Sequence, residues 1–113
     1  MPAYVIAHLQ EAAPHPEIAD YMERIGDTLA PFGGHYLVHA TQHEVLEGRW
    51  PGHVVMLGFP DAEAAGAWWR SPAYRAIAPL RSAHIEGDII LVAGVPTGYD
   101  TTAAATAVRE AAG

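Results

Sequence analysis

The chain has 113 residues, half of them hydrophobic and 17% charged, which is a length for one domain and a composition that excludes disorder. Thirteen acidic residues against six basic ones give a formal net charge of −7, which works against a nucleic-acid phosphate partner or an anionic lipid surface. There is no cysteine, so disulfides, thiolate nucleophiles, iron–sulfur clusters and cysteine-based zinc sites are excluded together.

No apolar run approaches the about 18–20 residues of a membrane span. The first residues enter a strand-like pattern with no charged segment ahead of an apolar core, so no signal peptide is expected and the location expected is cytoplasmic. Ala3 to Leu9 reads as a strand rich in extended-favouring residues, with His8 interrupting the apolar run. Pro14 and Pro16 open a helix, and Ile18, Met22, Ile25 and Leu29 lay one apolar stripe along it. Pro31 and Gly33-Gly34 end that helix.

His35 to Ala40 is the second predicted strand and Val54 to Phe59 the third, with Glu44 to Leu46 prolonging the extended path before Trp50-Pro51-Gly52 turns it. Asp61 is an N-cap for a helix over Ala62 to Arg70. Ser71-Pro72 restarts a helix that the pattern carries to about Ala78, before Pro79. Asp88 to Ala93 is the last strand, and its Ile-Ile-Leu-Val run reads as buried on both faces. Residues 1–96 thus form one domain. Residues 97–113 are an Ala-rich tail or short helix capped by Asp100, either frayed or reaching over a partner subunit.

Strand, helix, strand, strand, helix, strand is the split β-α-β order of an α+β, ferredoxin-like fold with an antiparallel sheet and both helices on one face. The strands are nevertheless apolar on both faces. An uncovered apolar sheet face needs a partner, and a homodimer with two sheets packed face to face is the expected solution.

Several stretches carry a resemblance to a known family: Ala3-Tyr4-Val5-Ile6, Phe32 to Val38, Glu44 to Pro51, Phe59-Pro60-Asp61, Ala67 to Tyr74 and Ile89 to Val95. Over residues 3 to 95 the chain resembles domain of unknown function 1330, within the dimeric α+β barrel superfamily. That resemblance implies the ferredoxin-like fold and a dimeric α+β barrel. Relatives in the wider superfamily include cofactor-free monooxygenases, haem-degrading enzymes, muconolactone isomerases and ligand-binding modules, so it implies little about chemistry. Family members often carry arginine where this chain has His35 and His39, which weakens an arginine-borne anion-pairing role at those positions.

His35, His39 and His43 recur at four-residue steps. On a strand, neighbours in that series stand about 13 Å apart, too far for one metal, so no metal is expected there. A pair across strands, such as His39 with His8 or His53, stays open. Imidazole suits proton transfer near neutral pH. His8 shares strand parity with Tyr4 and Ile6, and His35 and His39 share parity with Leu37. If those parities face one cavity, His39, His8 and His35 are the candidate acid–base residues, with Glu47 orienting His39. Tyr4, Trp50, Trp69 and Tyr74 are the candidate substrate-binding residues. Trp68 and Trp69 point about 100° apart on a helix, so one belongs to the core and the other to its edge.

These residues describe a small enzyme needing no tightly bound cofactor, acting by histidine acid–base chemistry on a hydrophobic cyclic or aromatic carbonyl compound. Isomerisation, cyclisation and cofactor-free oxygenation all fit. The alternative is a non-catalytic dimeric protein that binds a small apolar ligand in the same pocket.

Overall fold

The computed structural model describes residues 1–113. Four strands, β1 (Ala3–Leu9), β2 (His35–His39), β3 (His53–Phe59) and β4 (Gly87–Ala93), form one antiparallel sheet in the order β2-β3-β1-β4. Helices α1 (Pro16–Leu29), α2 (Ala62–Arg70) and α3 (Pro72–Ser82) carry the buried stripes that cover one face. The architecture is the expected α+β, ferredoxin-like one.

Local chemistry explains the boundaries. His15 precedes Pro16 in an extended conformation, and its Nδ1 accepts from the Glu17 backbone N–H, so an imidazole caps α1. At the far end the chain passes through a 3-10 turn (Ala30–Phe32) into Gly33, whose φ of 69° lies in the left-handed region. Gly34 matters for space. A Cβ there would lie 2.6 Å from the Phe59 ring and 2.8 Å from a Leu29 methyl. Asp61 caps α2 by accepting from Ala64 N–H at 2.7 Å, and Ser71 caps α3 by accepting from Tyr74 N–H at 3.3 Å.

Three expectations need correction. The chain from Ala40 to Pro51 is an exposed loop, so Glu44 to Leu46 does not prolong β2. Helix α3 passes through Pro79 and ends at Ser82. Proline lacks an N–H and leaves the carbonyl of Arg75 unmet, but both residues are exposed and water can serve that oxygen. Strand β4 is not buried on both faces. It pairs only with β1, and Ile90, Leu91 and Val92 are 57, 44 and 40% exposed.

The core lies between sheet and helices. Val5, Leu57 and Phe59 face Tyr21, Ile25, Leu29, Trp68, Tyr74 and Ile77 across it. Trp68 is 1% exposed, and its Nε1 donates to Thr28 Oγ1 at 3.0 Å. The opposite sheet face holds Tyr4, Ile6, His8, Val54, Met56, Ile90 and Val92, with no helix of this chain over it and only the loop before β3 reaching its His8–Val54 end. Helix α4 (Thr102–Ala112) follows a turn in which Asp100 accepts from Thr102, and no residue of α4 is buried.

Candidate functional site

An apolar cavity separates the sheet from α1 and α3 near the end where β1 and β2 finish and β4 begins. It offers about 60 Å³ to the centre of a water molecule, several times the about 10–15 Å³ that one water requires. Fifteen of its 17 lining residues are hydrophobic. The two exceptions, His39 and Arg81, are therefore the groups on the wall that can carry charge.

His39 reaches this wall because β2 is irregular. Tyr36 pairs with Leu57 and Val38 with Met56, leaving Leu37 as an extra residue. The bulge puts Leu37 and Val38 on the same side and returns His39, opposite Val55, to the helix-covered face beside Tyr36. The two rings are 5.0 Å apart. Strict alternation puts His35 and His39 on one face, and the bulge separates them. His35 sits opposite Gly58 on the open face, and His8, opposite Val54 and Asp88, lies there too. No common cavity gathers the three imidazoles.

The other candidates divide similarly. Trp69 and Tyr74 line the cavity. Tyr4 belongs to the open face, opposite Gly58 and Val92. Trp50 packs against His8 in a tilted contact with ring centroids 4.7 Å apart, away from the cavity. Glu47 lies in the exposed loop, along a separate groove with Leu46, Trp50 and Val54, and makes no ion pair with His39. Geometry thus removes its orienting contact.

Sequence reasoning overlooked Tyr21, Tyr36 and Arg81. Tyr21 and Tyr74 hydroxyls lie 3.0 Å apart inside the wall. Burial first, and the neighbouring Tyr74 second, push the Tyr21 phenol far above its ordinary range; burial does the same to Tyr36. Burial thus favours the neutral phenol in both. The stripe Tyr74, Ile77, Ala78, Arg81 has helical spacing, so continuing it past Pro79 would have found Arg81. Outside the cavity, Arg75 lies 4.5 Å from the Trp69 ring centroid and braces that indole from solvent.

A second cluster lies away from this site. His84 Nε2 is 2.7 Å from Glu17 Oε1, and the His84 ring stacks on His15 at 3.7 Å. The donor atoms of His15, Glu17 and His84 all lie within 4.8 Å of one another. The His15 Nδ1 is already engaged in capping α1. Sequence spacing gave no sign of this grouping, because the α3–β4 turn brings His84 to it.

The family model for domain of unknown function DUF1330 matches residues 2–95. The chain belongs to that family. This DUF1330 protein is similar in fold to solved structures at low sequence identity. The RPA0582 protein of unknown function from Rhodopseudomonas palustris has 20% identity and a TM-score of 0.63, with 84% of this chain and 83% of that one covered. SnoaB, a cofactor-independent oxygenase from Streptomyces nogalater, has 15% identity and a TM-score of 0.59, covering 88% and 98%. A dimeric ferredoxin-like protein of unknown function from Jannaschia sp. CCS1 has 15% identity and a TM-score of 0.50, covering 80% and 98%. No curated protein matches this DUF1330 chain at a significant level. No helix is long and apolar enough to cross a membrane.

Proposed function

We propose that this protein is a small cofactor-independent enzyme using histidine acid–base chemistry on a hydrophobic cyclic or aromatic carbonyl compound, in an isomerase, cyclase or monooxygenase type of reaction. One observation carries the reading: the apolar cavity has a single imidazole, His39, on its wall. A carbonyl compound seated there leaves water, which raises the worth of each polar contact made to it. His39 would remove a proton beside the carbonyl, Tyr21 or Tyr74 would donate to the oxygen, and Trp69 would flank the ring. SnoaB's description as a cofactor-independent oxygenase lends the oxygenase variant support by fold likeness alone.

The working unit in this reading is a cytoplasmic homodimer joined through the open sheet faces. The exposed apolar side chains of that face and the dimeric neighbour support it. His8 and His35 then belong to the subunit interface rather than to proton transfer.

Deuterium exchange beside the carbonyl of 2-indanone in heavy water, followed by proton NMR, tests the chemistry without knowledge of the natural substrate. Exchange above the buffer rate, lost in His39→Gln with an unchanged melting temperature, is expected. Exchange that survives His39→Gln removes the histidine from the role. Binding without exchange in the wild type turns the assignment to the binding protein, which uses the same walls and needs no proton.

A further inference from the structure

Arg81 is 9% exposed, and its Nε is buried with no hydrogen-bond partner. Its guanidinium carbon stands 5.8 Å from the Tyr21 ring centroid. The ion pairs of the molecule, His53–Glu11 and His84–Glu17, do not include it. A guanidinium nitrogen buried without an acceptor is costly, because its hydration is lost and only the face of the Tyr21 ring stands near the group. Its placement is equally specific. Arg81 lines the apolar cavity and also a polar cleft outside it, and Trp69, Ile85 and Ile89 line both. Arg81 therefore stands at the neck between them.

We infer that Arg81 is the anion receptor of this cavity, and that the ligand is a small cyclic or aromatic compound bearing one carboxylate, its ring among the apolar walls and its carboxylate on the guanidinium. The inference rests on the proposed function and narrows its substrate class. A planar guanidinium pairs best with a planar two-oxygen anion. Glu86 and Asp88 on the rim of the outer cleft set the charge limit. Two carboxylates beside one cation oppose a phosphate dianion about twice as strongly as a monoanion, which the guanidinium can pair one to one.

The test compares benzoate with benzamide, nearly equal in shape and different in charge, by calorimetric titration of the full chain, with 2-indanone in parallel. Benzoate is expected to bind at least about tenfold tighter than benzamide. Arg81→Met should erase that preference while leaving benzamide affinity and melting temperature at or above wild-type values; a purely structural arginine would lower the melting temperature instead. Should Arg81→Met fail to fold, Arg81→Lys, which keeps the charge and loses the fork, should retain only part of the preference. Equal binding of benzoate and benzamide by the wild type overturns the inference, as does a preference that survives Arg81→Met. Binding of 2-indanone alone overturns the anion receptor and spares the apolar site. Binding of none of the three overturns both.

Discussion

Tyr21 and Tyr74 illustrate how much of this site depends on pairs that lie 53 residues apart. Each hydroxyl satisfies the other inside an apolar wall, so removing one strands its partner. Tyr74→Phe should destabilise the fold by about 1–2 kcal/mol. The double variant Tyr21→Phe/Tyr74→Phe should cost less than the sum of the singles in denaturant melts, because it strands nothing. Glu17 gives a pH-dependent counterpart. The hydrogen bond from His84 holds its carboxyl below the usual carboxylate range. A group whose folded pKa is depressed stabilises above its unfolded value, 4.5 here, and loses that contribution as pH falls through the lower folded value. Glu17→Gln should therefore lower the melting temperature near about pH 7 and have a vanishing effect near about pH 3. None of these pairings was legible in sequence, since contacts so distant along the chain leave no periodic trace.

Among the elements, capping chemistry was the most legible because it is local. Asp61 and Ser71 act where their residue types and the following helical residues predict. Ser71 also donates from Oγ to the Trp68 carbonyl at 2.8 Å, joining the end of α2 to the start of α3. Ser71→Ala should lower stability by about 1 kcal/mol, measurable as a shift in urea midpoint at constant slope. Strand irregularity was not legible. Nothing in His35-Tyr36-Leu37-Val38-His39 marks Leu37 as supernumerary; the bulge follows from matching β2 to β3, a tertiary demand. It moved His39 to the covered face and left His35 behind. Pro79 misled in the opposite direction. Its missing N–H falls on a solvated side of α3, so the helix continues and carries Arg81 into the neck of the cavity.

At the scale of the molecule, alternation along β1 and β3 made the two-faced sheet and its layer of helices readable, and with them the expectation of a partner; the unbroken apolar run of β4 did not. The cavity was not readable, because it is assembled from seven helices and strands and the turn at Ile85, which sequence treats separately. Ile6, paired with Met56 on one side and Ile90 on the other, sits mid-sheet on the open face. Ile6→Asp should convert the proposed dimer to a monomer in sedimentation while preserving ligand binding, since one chain supplies the whole cavity wall; a wild type that sediments as a monomer would refute the dimer. The chain's three methionines allow the cavity itself to be tested directly. Met22 lines it, Met56 faces the opposite side of the sheet, and Met1 stands at the terminus. In a titration of methyl-labelled methionine with 2-indanone followed by NMR, Met22 should shift saturably while Met56 and Met1 stay still. A saturable shift confined to Met56, or no shift at Met22 with ligand bound, would contradict the cavity as the functional site.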